Sequence, residues 1–453
     1  MIVAALLVLV AGLATGGVAR SSARARPPLA AHFPGQPEEV STTPLIRLRA
    51  WAAGAAIDVI AVVVLVIVQA PFVALVVAVA GAAALTVMTV VIHRHARGCS
   101  GVQTAIDQYA PRIAVPYAGK VGVHIGMWSP WIDRTDVPWC IVARTPALFH
   151  ELAAMYDTPI VQGAIPTTVR GALYPHGAAA NADVIATSAA THVFLGHGDS
   201  DKPLSASERV LQYDLVAVAG QAAIDRFKAS GLTIPPERIR VIGRPQTEGI
   251  KPAGSAIPTP ATVLYAPTWR HADDALNVSS LLVADSIVQA LLDRGCTVVF
   301  RRHFAGQNHV AAEAMIAHVD AMLQAHAAAS GKLHRWGAAA MAEPLITAFN
   351  SVDAMVSDVS GIVVDFMASG KPLVMYAAQH TDPEAFRASH PTAEAAYVID
   401  RDLVGLGAAP DAALGDDPLA SSRAERADYY LGGADRADPA RRFMDLIVEL
   451  AGA

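Results

Sequence analysis

The densest chemical grouping in the chain is Ser357-Asp358-Val359-Ser360-Gly361, set between an apolar, strand-like run (Ala354 to Val356) and a helical pattern leading to Asp365. A Ser-Gly turn that opens a helix presents free backbone N–H groups and a hydroxyl, which together suit phosphate oxygens. The same residues also fit an ordinary helix N-cap. Ser360 is the expected hydrogen-bond donor to a phosphate oxygen, and Asp365, one turn into the helix, could hydrogen-bond a ribose or glycerol hydroxyl. Arg301-Arg302-His303 close a very apolar run, Thr297 to Phe300. Cations at the carboxyl end of a strand can neutralise a pyrophosphate as charge moves to a leaving group, although one of the two arginines reads better as part of a solvated turn.

Two further stretches end strand-like runs. In Tyr265-Ala266-Pro267-Thr268-Trp269-Arg270, Pro267 stops the ladder and frees Thr268 and Arg270 to meet phosphate or ribose, with Trp269 read as core. In Leu195-Gly196-His197-Gly198-Asp199-Ser200-Asp201-Lys202, the glycines let a ligand approach the backbone and leave the imidazole in the open. That is a setting for a general base acting on a hydroxyl, although a lone histidine is usually structural and this chain has 16.

These groups need a scaffold that brings strand ends together. From Pro111 onward, short β-branched runs alternate with helical patterns: Val121 to Ile125, Trp139 to Ala143, Pro159 to Gln162, Val193 to Leu195, Leu215 to Ala219 and Ile239 to Ile242. Such alternation predicts a parallel sheet covered on both faces. The Pro-rich stretch 251–260 lacks periodicity and reads as a linker. Beyond it come strands at Thr262 to Tyr265, Thr297 to Arg301, Ala354 to Val356 and Leu373 to Tyr376. Helices are expected at Leu281 to Asp293, Ile362 to Ser369 and, across the surface, Ala311 to Ala329; a last one, Pro439 to Leu450, could return across both lobes. The expected fold is therefore α/β: two doubly wound, Rossmann-like lobes, 111–250 and 260–453, facing a cleft in which ligands sit outside the strand ends.

Composition narrows the functions available. A formal net charge of -6 offers no basic field for nucleic acid. Three widely spaced cysteines, Cys99, Cys140 and Cys296, form neither a disulfide framework nor a zinc knuckle, and no metal site is visible. The apolar excess is concentrated at the N-terminus. Residues 1–18 make one apolar run, long for a signal core and short for a span, and read as an uncleaved anchor because the arginines follow it. Residues 52–92, broken only at Gln69-Ala70-Pro71, are long enough for a two-span hairpin; Asp58 within it is expected to face a neighbouring helix or to sit near the interface. Arg20, Arg24, Arg26, Arg47 and Arg49 place the basic loop 19–51 on the cytoplasmic side, and Arg94 and Arg97 place everything after the hairpin there too. A short linker is expected between the hairpin and the α/β part.

Taken together, the motifs resemble the CDP-glycerol glycerophosphotransferase family, enzymes of teichoic-acid synthesis with a GT-B scaffold, over roughly 190–380. In that family a His-Gly loop supplies the proposed base, matching His197-Gly198. A Pro-Thr pair matches Pro267-Thr268, an Arg-x-His element matches Arg301 to His303, and an Asp-x-Ser-Ser-x-x-x-Asp-Phe element matches Asp358 to Phe366, with spacing kept into Gly370-Lys371-Pro372. The chain departs at Gly361, where the family has a second serine, in the loop after Gly198, and at Arg244-Pro245-Gln246-Thr247-Glu248, where the family has Pro-Arg-Asn-Asp. The resemblance implies transfer of glycerol phosphate, or a related alditol phosphate, from CDP-glycerol to a hydroxyl of a lipid-linked or polymer acceptor. CMP would be released, with no certain cofactor and Mg2+ as an optional companion of the pyrophosphate. His197 and His303 would then be catalytic, and Gly198, Pro267, Thr268, Arg270, Arg301, Arg302, Ser360, Gly361 and Asp365 donor-binding. Two rivals are a GT-B glycosyltransferase using a nucleotide sugar and a catalytically silent membrane scaffold of the same fold.

Overall fold

A computed structural model describes the chain except for residues 23–28, 37–43, 120–121, 202–206, 255, 272, 274–275, 304–308, 434–437 and 453. Lys202 and the arginines at 24 and 26 fall outside the described residues. The chain divides into two compact units: Met1–Gly122, Val137–Leu173 and Ala180–Ala190 form the first, and Val123–Asp136, Tyr174–Ala179 and Thr191–Ala453 the second.

In the first unit, three helices are long and apolar enough to cross a membrane: Ile2–Arg20, Leu48–Ile67 and Pro71–Tyr109. They pack through small residues, which let the helix backbones approach closely. A side chain at Gly12 would meet the Cα of Ala82 at 2.9 Å, and one at Gly81 would overlap the Asp58 carboxyl. Asp58 therefore faces the neighbouring helix, as expected, lying on the backbone that Gly81 leaves bare. Polar groups stitch the bundle farther along: the Trp51 indole N–H donates to Thr89 Oγ1 at 3.1 Å, and Thr89 donates to Thr15 Oγ1 at 3.1 Å.

The expected linker does not exist. The third helix runs unbroken for 39 residues from Pro71 and ends only at Ala110, whose left-handed φ of 48° turns the chain. Its polar end is anchored by packing, with Val102, Ala105 and Ile106 buried and the Tyr109 hydroxyl donating to the Trp139 carbonyl at 3.0 Å. Helical spacing of those apolar residues keeps the segment within the helix.

The unit's strands are β1 (Ala30–Ala31), β2 (Ile113–Tyr117), β3 (Trp139–Ala143), β4 (Ile160–Gln162) and β5 (Gly171–Tyr174), ordered β1-β4-β3-β2-β5. All but the short β1 are parallel to their neighbours. Of the strand expected at Val121 to Ile125, Val121 lies outside the described residues and Val123 to Ile125 fall on a turn of helix, Val123–Gly126; β2 lies upstream of it and contains Pro116. Ile113 N–H bonds toward β3, so the alternate residues, Pro116 included, turn their backbone groups toward β5. Pairing with β5 stops at Ala114, so the missing Pro116 N–H costs no ladder bond.

The second unit holds β6 (Thr191–Phe194), β7 (Leu215–Val218) and β8 (Ile239–Val241), parallel to one another. It also holds β9 (Thr262–Ala266), β10 (Thr297–Phe300), β11 (Ala354–Ser357), β12 (Leu373–Ala377) and β13 (Tyr397–Asp400), a wholly parallel sheet ordered β10-β9-β11-β12-β13. Ile287, Val288 and Leu291 of the Ala284–Asp293 helix and Val319 and Leu323 of the Val310–Ser330 helix pack on one face; Val363, Phe366 and Phe349 pack on the other. The C-terminal helix Arg441–Ala451 seats Phe443 against Trp128 with ring centroids 4.9 Å apart.

Candidate functional site

The strand order places three of the sequence motifs side by side. β9 lies between β10 and β11, and all three run the same way, so Pro267 to Arg270, Arg301 to His303 and Ser357 to Gly361 leave the sheet at adjacent carboxyl ends. That edge is where open α/β sheets bind ligands. A buried carboxylate ties two of these turns together: Asp358 Oδ2 accepts from Thr268 N–H at 2.8 Å and from Ser280 N–H at 3.1 Å. Beside it the Ser357 hydroxyl donates to the Ala266 carbonyl at 2.7 Å. Thr268 itself is 1% exposed, with its carbonyl accepting from Ser279 Oγ at 2.7 Å, so it fixes the β9 turn from inside. Trp269 is half-buried beside His271 rather than in the core.

Ser360 occupies the N-cap position of the Gly361–Met367 helix with extended backbone, yet its side chain makes no capping hydrogen bond. Ordinary capping therefore does not account for its hydroxyl, which is half-buried at the strand edge. Gly361 explains the chain's departure from a serine pair. A Cβ there would stand 3.3 Å from the Asp199 carbonyl oxygen and 3.9 Å from Gly198 Cα. The imidazole-bearing loop rests directly on the Ser-Gly turn, so His197-Gly198 and Ser360-Gly361 are brought together.

Two expected ligands of the donor are engaged within the protein. Asp365 is buried and takes both ends of the Arg244 guanidinium, through Nε to Oδ1 and through Nη2 to Oδ2 at 3.0 Å. Arg301 does not point out of the strand end; its Nη1 donates to the carbonyls of Ala340 at 2.5 Å and Glu343 at 2.7 Å, where a short helix, Gly337–Ala342, ends. It is the arginine of the pair that serves the turn, and helix-end carbonyls attract it because they lack partners within the helix. Arg302 and His303 remain half-buried after β10, and Arg270 after β9.

His197 is open to solvent on one side, and its Nδ1 lies 3.3 Å from the Pro175 carbonyl. A carbonyl only accepts, so Nδ1 carries the hydrogen and Nε2 of the neutral ring is the basic nitrogen. Loss of surrounding water, followed by the presence of His176 and Arg244, lowers its pKa below the ordinary histidine value. The loop is held from several sides: the Trp128 indole N–H donates to the Gly196 carbonyl at 3.0 Å, and Asp199 pairs with Arg226. Asp201 accepts from Thr392 Oγ1 and from the Tyr430 hydroxyl, each at 2.7 Å. The acidic residues that replace the usual loop thus serve as its struts. His124 and His176 stack around His197, a grouping that no sequence motif marks because the three lie far apart in the chain. Among the described residues no cluster of three or more His, Cys, Asp or Glu has the arrangement of a metal site.

Parallel sheets whose strand ends carry cations, hydroxyls and an open imidazole make this a mixed α/β fold. Residues 206–389 match the family described as CDP-Glycerol:Poly(glycerophosphate) glycerophosphotransferase, the one that the motifs resemble. No curated protein matches the chain. Among solved structures, the wall teichoic acid polymerase TagF is similar at 12% identity over 78% of this chain and 92% of that one, with a TM-score of 0.49. MnaA of S. aureus with UDP is similar at 11% identity over 76% and 97%, with a TM-score of 0.48. A UDP-N-acetylglucosamine 2-epimerase assigned in Listeria monocytogenes reaches 12% over 75% and 96%, with a TM-score of 0.47.

Proposed function

We propose that the chain is a membrane-associated transferase that moves glycerol phosphate from CDP-glycerol to an acceptor hydroxyl of a teichoic-acid-like polymer or its lipid-linked primer, releasing CMP. The observation that carries the reading is the family match over 206–389, which encloses the three motifs at adjacent strand ends. In this reading His197 Nε2 takes the proton of the acceptor hydroxyl as its oxygen attacks the glycerol-bearing phosphorus. The bond from that phosphorus to the bridging oxygen breaks, and CMP leaves with the electron pair. Ser360 and the turn at Gly361 hold the phosphates, while Arg270, Arg302 and His303 balance the charge that builds on the leaving group. Pro267, Thr268, Arg301 and Asp365 act one step back, by shaping the turns that carry these groups. Positioning and fixed charge would supply most of the acceleration, as in phosphoryl transfer generally.

The sequence division into an acceptor-side lobe, 111–250, and a donor-side lobe, 260–453, fits this allocation of roles, and the arginine distribution supports a cytoplasmic catalytic part, where CDP-activated donors are made. The test uses the full chain in detergent or nanodiscs. Thermal stabilisation by CDP-glycerol, CDP-ribitol, CMP and UDP-sugars is compared with that of Ser360→Ala and His303→Ala variants, and CMP release is followed with a lipid-linked acceptor. A ligand at one hundred times its Kd adds about 2.7 kcal/mol. Stabilisation by CDP-alditols that is lost in the variants, together with CMP release, is expected. Response to UDP-sugars alone would move the assignment to a glycosyltransferase, and no response to any nucleotide would leave a scaffold.

A further inference from the structure

His197 does not stand alone. Its ring lies on that of His124 with centroids 4.3 Å apart and planes 25° from parallel, and His176 completes the stack at 5.4 Å from His197 and 5.6 Å from His124. Three elements distant in sequence supply the rings: the short Val123–Gly126 helix, the loop after β5 and the loop after β6. The first is braced on the third, because Trp128, just beyond it, holds the Gly196 carbonyl. Among the described residues, two cations bear on the stack, Arg244 on His197 and Arg209 on His176.

We propose that the three imidazoles form a one-proton unit in which His197 is the titrating base and His124 is a positioning residue, a flat neutral platform that fixes the His197 ring. The inference rests on the transferase reading for the identity of the reaction, but the stack itself is independent of it. Two positive rings at these separations, with two arginines nearby, repel strongly, so the second proton binds far less readily than the first and the titrations are coupled. The proton has one favoured seat: His197 Nε2, since Nδ1 is committed to the Pro175 carbonyl. In the proposed step the proton passes from the acceptor hydroxyl to that nitrogen, and the positive ring so formed lies over the face of a neutral imidazole. Such a platform limits the rotation of a loop residue flanked by two glycines, Gly196 and Gly198. The physical cause is visible in His124, whose pKa is pushed down to about 4 by burial first and then by His197 and His176.

The test follows each histidine separately in the full chain, by mass spectrometry of diethylpyrocarbonate modification across pH 4 to 8, in wild type and in His197→Phe, His124→Ala and His124→Phe. In wild type His124 reacts as a neutral ring throughout most of this range. His197→Phe should raise the His124 midpoint by a unit or more toward the ordinary histidine value. With CDP-glycerol as donor, His124→Ala should lower kcat by about tenfold to a hundredfold, the scale of a misplaced catalytic group, with KM for CDP-glycerol changed less than kcat. His124→Phe, which restores a flat ring, should recover most of that loss. An unmoved His124 midpoint in His197→Phe overturns the one-proton unit, and equal losses in His124→Ala and His124→Phe overturn the platform. Absence of turnover in wild type with CDP-glycerol would count against the transferase reading alone, since the modification midpoints are read without turnover.

Discussion

The Arg244–Asp365 pair shows how a residue can be indispensable without touching a ligand. Both side chains are buried, and the carboxylate accepts from two nitrogens of one guanidinium. Removing one partner strands the other's charge, which typically costs 3–5 kcal/mol, whereas replacing both with apolar groups of similar size is often neutral. Arg244→Met should therefore lower the unfolding midpoint sharply, and Arg244→Met with Asp365→Leu should recover most of it in denaturant titrations. A second residue-scale prediction concerns pH. His334 Nδ1 accepts the Val298 N–H at 2.9 Å and its Nε2 meets His326 Nδ1 at 2.8 Å; burial, and after it His326 and Lys332, push its pKa down to about 4. The unfolded histidine, near 6.5, binds a proton that the folded one rejects, so stability is complete above that value and falls as pH drops toward 4, by at most about 3 kcal/mol at 1.36 kcal/mol per unit. Thermal unfolding between pH 7 and 4.5 should show this slope, and His334→Gln should flatten it.

At the scale of elements, close approach explains the glycines. Gly361 lets the His197 loop settle on the turn after β11, so Gly361→Ser, although it restores the family's serine pair, is expected to destabilise by about 1–3 kcal/mol through overpacking against the Asp199 carbonyl. In the hairpin Gly81 plays the same part for Asp58, whose Oδ2 is buried without a hydrogen-bond partner. Gly81→Leu should lower the melting temperature in micelles, with partial rescue by Asp58→Ala, because the smaller side chain vacates the space. Strand-scale features were legible in the sequence where β-branched runs were clean, as in β3, β7 and β10. They were not where the deciding factor is a neighbour. Pro116 is tolerated because pairing stops before it, and β5, Gly171–Tyr174, has no β-branched residue and is set as a strand by pairing, with β2 among its partners. The motifs were legible as short runs that follow strands, and the order β10-β9-β11 gathers three of them. The Arg244–Asp365 pair and the histidine stack were not, since each joins residues whose separation along the chain carries no signal.

For the molecule as a whole, the first unit is continuous with its apolar bundle: one helix begins at Pro71 in the hairpin and ends at Ala110, beside β2. A break in that helix should be felt on both sides. Gly98→Pro, in its interior, is expected to cost about 3 kcal/mol or more and to open a protease-sensitive site near residue 98, detected by limited proteolysis of the full chain. The continuity also makes the helix a phase-keeping shaft. Each added residue advances a helix by 1.5 Å and turns it by about 100°, so an insertion after His95 alters the azimuth of the first unit's sheet about the bundle axis far more than its height. Azimuth returns nearly to its starting value after about seven or eleven insertions and is nearly reversed after about two. The bearing of the first unit's sheet about its helical bundle is thus written into the count of residues between Pro71 and Ala110.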